Sequence, residues 1–241
     1  MVNKGMNYLS FKQELSRYDK NIFSTKDAEK ILNQTRRVVH TTLSRWTKKN
    51  LIHRVRQGWY SLTPIENKFR LQHTFPDTYI SLRSAIEWYG KTTQRYNTLD
   101  LITNKPKENT VIDNTKISFH TNTYFFGYEK HNIGSTEIFV ATPEKTVIDL
   151  VHFTQNVALS NTTSFIQKIR DDIDKDLLIS YLEKTGSAVL SKRVGYLLEQ
   201  QGISLPITAN GPYQPLDKTK PRNGTKISKW KLIDNVNKTR T

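Results

Sequence analysis

Residues 24–62 decide the fold of the amino-terminal part of this chain, and their sequence is STKDAEKILNQTRRVVHTTLSRWTKKNLIHRVRQGWYSL. A hydroxyl at Ser24 or Thr25 can cap a first helix, because it accepts an otherwise unpaired backbone N–H. Apolar residues then recur at helical spacing. The pair Asn33-Gln34 is typical of a turn. A second helix is predicted over residues 35–49, with its first residue as the cap.

The second predicted helix has one apolar face and one polar face. At about 100° per residue, Val39, Leu43 and Trp46 point together toward a core. The opposite side carries groups that can donate to phosphates and to base edges. The candidate DNA contacts on this helix are Arg36, Arg37, His40, Thr41, Ser44, Arg45 and Lys48. A merely solvated face is the alternative, because most charge runs are no more than that.

A short hairpin is predicted immediately after this helix. Residues 51–55 alternate as a half-buried strand does, and residues 59–62 return after a turn in which Gly58 can adopt positive φ. Arg54 and Arg56 are predicted to lie near the tip of this turn and to contact DNA. A basic hairpin beside a basic helix favours binding over a solvated face. The pattern predicts a winged helix-turn-helix, a module whose second helix enters the major groove.

The positive charge of the chain lies at its two ends. The formal net charge is +15 over 241 residues; residues 1–62 contain 13 Lys and Arg against 4 Asp and Glu, residues 63–217 contain 16 against 17, and residues 218–241 contain 8 against 1. This distribution predicts a basic binding module followed by a neutral globular domain with a basic tail. Positive charge raises affinity for polyanions, but it does not separate DNA from RNA or from anionic lipid.

The sequence lacks the residues and spacings of several functional classes. It contains no cysteine, which excludes disulfides, thiolate zinc sites and cysteine nucleophiles. Its six histidines show no metal-ligand spacing, and phosphate-binding glycine motifs are absent. We therefore expect a protein that is not an enzyme, with no catalytic residue, metal or cofactor. No stretch reaches the roughly 20 apolar residues of a membrane span and no signal peptide is apparent, so a cytoplasmic location is predicted.

The remainder of the chain predicts a second domain of mixed α+β structure. Residues 79–89 are predicted to form its first helix, and Thr142-Pro143-Glu144 is typical of a later helix start. Strands are predicted over residues 99–103, 116–120 and 138–141. The predicted fold class is therefore α+β, with a winged helix-turn-helix domain over residues 1–70 and a mixed α+β domain over residues 71–241.

Several short motifs, in this order along the chain, resemble the AbiEi family of antitoxins and transcriptional regulators. Residues 24–62 match the family's amino-terminal winged helix-turn-helix, especially Gly58-Trp59-Tyr60 after a basic strand. In its carboxy-terminal antitoxin domain, the most specific match is residues 141–145 followed by Ile148-Asp149-Leu150. The other matching segments are residues 79–85, Phe125-Phe126-Gly127, residues 192–199, residues 213–216 and residues 230–233. Lys192 and Arg193 are the candidate functional surface residues of this domain.

The resemblance implies a repressor that binds duplex DNA in its own promoter, at inverted repeats, and autoregulates a toxin–antitoxin operon. It also implies an antidote to a toxin resembling nucleotidyltransferases. The family's antitoxins are grouped as type IV, which counter the effect of the toxin without requiring a stable complex with it. We expect a monomer or weak dimer that binds DNA cooperatively, because a single module contacts few bases.

Two other functions remain open on the sequence alone. One is a stand-alone winged-helix regulator whose neutral second domain senses a ligand, with no toxin involved. The other is an RNA-binding or RNA-acting protein whose second domain holds an unrecognised active site. Helical spacing suited to a major groove favours duplex DNA over RNA, because the major groove of A-form RNA is too narrow for side chains.

Overall fold

The computed structural model describes residues 7–236, which form a mixed α+β structure. The first part contains three α-helices and one three-stranded sheet. Its elements in chain order are α1 (Tyr8–Arg17), β1 (Ile22–Ser24), α2 (Thr25–Leu32), α3 (Arg36–Lys48), β2 (His53–Arg56) and β3 (Trp59–Ser61). The sheet is antiparallel, with strand order β1-β3-β2. The helices and the hairpin thus follow the predicted order.

Local sequence determines where the helices of the first part begin and end. The Ser24 hydroxyl accepts a hydrogen bond from the backbone N–H of Asp27, and the Asp27 carboxylate accepts one from the backbone N–H of Ser24. This capping box starts α2. Asn33 ends α2 in the left-handed conformation, with φ 48°, so the chain turns where a turn was predicted. Thr35 occupies the N-cap position of α3, but its side chain makes no capping hydrogen bond.

The first part has its own hydrophobic core. Val39, Leu43 and Trp46 of α3 are buried, as their spacing predicts. They pack with apolar side chains from the other helices and the sheet. The remaining buried members are Phe11, Leu15, Phe23, Ala28, Leu32, Ile52 and Tyr60. Because this core takes the apolar side of α3, the polar side faces solvent.

A six-stranded mixed sheet organises the next part of the chain, and a 3-10 helix, Lys68–Thr74, leads into it. The strands are β4 (Thr78–Ile80), β5 (Thr98–Thr103), β6 (Thr110–Ile112), β7 (Thr115–Thr121), β8 (Tyr128–Ile133) and β9 (Thr136–Ala141). Their order in the sheet is β6-β7-β5-β4-β9-β8. Strands β5, β7 and β9 lie where strands were predicted, whereas β4, β6 and β8 were not predicted.

The predicted helix over residues 79–89 is wrong at its start. Tyr79 and Ile80 belong to strand β4, and helix α4 (Leu82–Trp88) begins after it. Both side chains are fully buried in the sheet, between β5 on one side and β9 on the other. A short apolar run that is buried on both faces has no periodicity that separates a strand from a helix.

Four further helices and a small sheet complete the described residues. The helices are α5 (Pro143–His152), α6 (Leu159–Ile169), α7 (Lys175–Thr185) and α8 (Ala188–Glu199). The small sheet has strand order β10-β12-β11 and consists of β10 (Gln214–Pro215), β11 (Thr225–Ile227) and β12 (Leu232–Asp234). The fully buried Trp230 ring lies over Gly195 of α8, where no room exists for a Cβ atom. This contact packs the segment around Trp230 against α8.

A buried ion pair lies at the centre of the second part. Lys145 and Asp149, four residues apart on α5, are both fully buried and form an ion pair. The hydroxyls of Tyr79 and Ser81 donate to Asp149 Oδ2 at 3.1 and 2.8 Å, and Asn122 Nδ2 donates to Asp149 Oδ1 at 3.2 Å. The carboxylate therefore connects α5 by hydrogen bonds to β4, to the residue after it and to the loop after β7.

Between residues 7 and 236, no helix is both long enough and apolar enough to cross a bilayer.

Candidate nucleic-acid interface

The polar side of α3 forms one solvent-exposed surface, which we call the α3 face. It comprises Arg36, Arg37, His40, Thr41, Ser44, Arg45 and Lys48, and every one of these residues is exposed. None of its Arg or Lys side chains forms an ion pair with another residue between positions 7 and 236. The α3 face therefore presents uncompensated positive charge and several hydrogen-bond donors to whatever approaches it.

The hairpin beside α3 contains a β-bulge that sequence alternation did not reveal. Arg54 pairs with Tyr60 and Arg56 pairs with Trp59, so one extra residue is inserted between the two arginines on β2. Gly58 makes the turn with φ 78°, a conformation that glycine adopts readily. Because a bulge changes the direction of the side chains around it, the two arginines have different environments. Arg54 is exposed.

The sequence predicts that Arg56 is a free side chain near the tip of the hairpin. In the structure its side chain instead contacts residues outside the hairpin. Its Nη1 donates to the backbone carbonyl of Thr74 at 2.7 Å, and its guanidinium carbon lies 4.4 Å from the centre of the Phe75 ring. Partial burial lowers the pKa of Arg56 from its ordinary value. The guanidinium thus connects the hairpin to the 3-10 helix and the residue after it.

The hairpin aromatics pack within the protein. Tyr60 is buried and stacks on Phe23 with ring centres 5.9 Å apart. Trp59 is half-buried and meets His73 edge to face, with ring centres 5.5 Å apart. These rings stabilise the position of the hairpin, so the groups that it offers to a ligand are its polar side chains and backbone.

The predicted surface role of Lys192 and Arg193 is wrong, because both side chains are buried in α8. Lys192 Nζ donates to the carbonyl of Pro212 at 3.3 Å, and Arg193 donates to the carbonyl of Pro215 from Nε at 3.0 Å and from Nη2 at 2.8 Å. Residues 212–216 cover this side of α8. Both cations therefore hold residues 212–216 against the helix by hydrogen bonds. The charge pattern of a helix does not reveal such a role.

A second buried polar cluster lies across β5 and β7. Arg83 donates from Nε and Nη2 to Asp100, both at 3.1 Å, and His120 Nε2 lies 3.0 Å from the same carboxylate. Burial raises the pKa of Asp100, but the hydrogen bonds from His120 and Arg83 outweigh burial and lower it below the ordinary value. Within residues 7–236, no group of three or more His, Cys, Asp or Glu side chains is placed to hold a metal ion.

One exposed residue of α3 was not among the predicted contacts. Val38 lies on α3, 46% exposed, beside Arg37 and within the same turn as Thr41. The predicted contacts were chosen for charge and hydrogen-bonding groups, and an apolar residue has neither. The sequence feature of Val38 is a β-branched apolar residue at a helix position that lies outside the buried stripe of α3.

Comparisons with known proteins give a structural likeness and no family assignment. No family model matches the chain, and no curated protein matches it. The crystal structure of the RV2827C protein from Mycobacterium tuberculosis is similar, with a TM-score of 0.61 over 97% of this chain and 94% of that chain. The two sequences are 10% identical, so the likeness extends to the fold alone.

Proposed function

We propose that residues 8–62 form a winged helix-turn-helix and that the protein is a transcriptional repressor that binds duplex DNA. In this proposal α2 and α3 are the helix-turn-helix, α3 enters the major groove, and the β2–β3 hairpin is the wing. The observation that carries the proposal is the α3 face, whose exposed cations have no partners among the described residues. Such a group of exposed cations favours binding of a polyanion, whose phosphates would compensate the charge.

The order of elements around α3 supports duplex DNA as the polyanion. The major groove of B-DNA admits an α-helix, and its base edges present distinct donor and acceptor patterns. Arg37 and Ser44 bring donors to the middle of the α3 face, while Arg45 and Lys48 add charge toward its end. Arg54 on the hairpin adds a cation suited to an adjacent phosphate.

The biological role that we propose comes from the resemblance to the AbiEi family. The protein represses its own promoter and acts as the antitoxin of a nucleotidyltransferase-like toxin. In this proposal residues 8–62 supply DNA binding, and the six-stranded sheet with α4–α8 supplies the antitoxin function. The 3-10 helix crosses the predicted boundary at residue 70, and Lys68 pairs with Glu87 at 2.6 Å. We therefore place the start of the antitoxin part before Lys68.

Titration with competing nucleic acids tests DNA binding. The purified protein is added to a duplex from upstream of its own gene, to a duplex of scrambled sequence and to a structured RNA of equal length. We expect the upstream duplex to bind at least about 10³-fold more tightly than the scrambled duplex at physiological salt. Equal affinity for both duplexes would remove the repressor proposal, and preference for the RNA would replace it with the RNA-binding function.

Co-expression tests the antitoxin role. The gene adjacent to this one is expressed alone and together with this protein, and cell growth is measured. A toxic, nucleotidyltransferase-like neighbour that this protein neutralises would support the proposal. A protein that represses its promoter but protects against no neighbour would be a stand-alone regulator.

The two wing arginines should respond differently to the same substitution. We expect Arg54→Ala to weaken binding to all duplexes alike and to lower the slope of log affinity against log salt by about 0.9, because one phosphate contact is lost. Arg56→Ala should leave that slope unchanged, because its guanidinium is bound to Thr74 and Phe75. It should instead lower the unfolding free energy by about 1 kcal/mol, through a lost hydrogen bond and ring contact.

Salt-dependent binding titrations and denaturant unfolding of both variants measure these effects. A lowered salt slope for Arg56→Ala would show that this side chain leaves Phe75 to contact DNA. An unchanged slope for Arg54→Ala would remove the wing from the interface.

A further inference from the structure

Val38 is an exposed apolar side chain in the first turns of α3. It is 46% exposed, although it lies on a helix whose other outward residues are polar or charged. The other large exposed apolar residues among the described positions are Leu9, Tyr18 and Val111, and none of them is on α3. A valine has lower helix propensity than the Lys, Arg or Ala that suit such a position. Helix formation therefore does not explain the choice of residue.

Thr41, one turn further along α3, adds a methyl group to the apolar surface that Val38 exposes. We call Val38 and Thr41 together the apolar spot. The Thr41 hydroxyl donates to the backbone carbonyl of Arg37 at 3.1 Å, so its hydrogen is already used within the helix. Residues three apart on a helix are neighbours on its surface. Val38 and Thr41 are therefore neighbours on the surface of α3, and the cations Arg37 and Arg45 lie on the same side of the helix.

The surroundings of this apolar spot identify its ligand. An apolar spot flanked by unpaired cations does not suit an apolar protein partner, because burying those cations without counterions is costly. It does suit the major groove, where phosphates compensate the cations and the 5-methyl group of thymine is the one apolar group on the base edges. The first turns of a recognition helix are the part that meets base edges.

We propose that Val38 recognises the 5-methyl group of a thymine in the operator. This inference rests on the proposed DNA binding and adds a sequence requirement to it. The thymine would lie at the position that faces the first turns of α3, with the methyl of Thr41 beside it. Discrimination arises because a base without the methyl group leaves the Val38 side chain against water in a groove that is otherwise filled.

Replacing thymidine by deoxyuridine tests this proposal at the level of one methyl group. A bound duplex is first selected from a randomised pool with the full-length protein. The same duplex is then synthesised with deoxyuridine at every thymidine, which keeps the hydrogen-bonding groups of each base pair and removes the methyl groups. Synthetic duplexes contain no methylated cytosine, so any loss of affinity results from removing the methyl groups of thymine.

The wild-type protein should bind the deoxyuridine duplex about fivefold more weakly than the thymidine duplex. Val38→Ala should bind the thymidine duplex about fivefold more weakly than the wild type and should not distinguish the two duplexes. Val111→Ala, the same change at an exposed valine of β6, should behave as the wild type does. Circular dichroism of all three proteins confirms that each is folded; alanine on an exposed helix face favours the helix.

Two results would overturn the assignment to Val38. One is a wild-type protein that binds both duplexes equally. The other is a Val38→Ala variant that keeps the full preference for thymidine, since the methyl group would then be sensed by another residue. A protein that selects no duplex from the pool would overturn the proposed function as well, whereas selection of a duplex without methyl dependence would overturn this inference alone.

Discussion

Asp149→Asn should lower the unfolding free energy by about 3–5 kcal/mol at neutral pH. The substitution keeps the shape of the side chain and removes its charge, which leaves Lys145 fully buried without a counterion. Removing one partner of a buried ion pair costs this much because the remaining charge is desolvated and uncompensated. The hydroxyls of Tyr79 and Ser81 also lose a charged acceptor. Denaturant unfolding monitored by tryptophan fluorescence measures the change.

The direction of the pH dependence adds a second test of Asp149→Asn. Burial lowers the pKa of Lys145 from its ordinary value, and the ion pair with Asp149 partly opposes this. Without Asp149 the pKa of Lys145 falls further, so the folded state binds fewer protons than the unfolded state up to the ordinary lysine range. Stability then rises with pH in that interval. The deficit of the variant relative to the wild type should therefore shrink as pH is raised from 7 toward about 10.

Glu137→Gln is the matched control for this substitution. It makes the same isosteric change in the ion pair of Glu137 with Lys130, whose side chains are 44% and 59% exposed. An exposed pair contributes little, so a change of less than about 1 kcal/mol is expected. Equal losses at Asp149 and Glu137 would contradict the argument from burial, as would a deficit in Asp149→Asn that grows with pH.

The sequence predicts the first part of the chain well because its signals are local. Ser24 and Asp27 form a capping box within four residues, Asn33 marks the turn, and the apolar stripe of α3 has helical spacing over about two turns. Each of these features is set by neighbours along the chain. The exposure of the α3 face follows directly, since the opposite side is occupied by the core.

The sequence fails where contacts distant along the chain decide a side chain's place. Arg56 lies two residues from Arg54, and regular alternation would put both on one face; a bulge and a distant partner at Phe75 separate them. Lys192 and Arg193 have the charge typical of a surface, yet the Pro212 and Pro215 carbonyls compensate them from a segment some 20 residues later. Helix periodicity contains no information about such a covering segment.

Removing three cations of the α3 face together should abolish specific DNA binding. In the variant Arg37→Ala, Arg45→Ala, Lys48→Ala, we expect a loss of about 3–5 kcal/mol, which is more than about a hundredfold in affinity. The expected sum includes one base contact and two phosphate contacts. The slope of log affinity against log salt should fall by about two, because two phosphate contacts and the counterions that they release are lost. All three side chains are exposed, so the variant should unfold at the wild-type midpoint.

A charge-matched variant separates the place of these cations from their number. Lys105→Ala, Lys116→Ala, Lys175→Ala removes the same charge from exposed positions outside α3 and should keep specific affinity within about threefold of the wild type. Equal losses in the two variants would mean that overall charge, and no particular face, carries binding. The α3 variant also tests the proposed division of labour, because in that proposal toxin neutralisation does not depend on the α3 face. Cells expressing it should lose repression of the promoter and keep protection against the toxin; loss of both in a folded variant would show that the two functions share one surface.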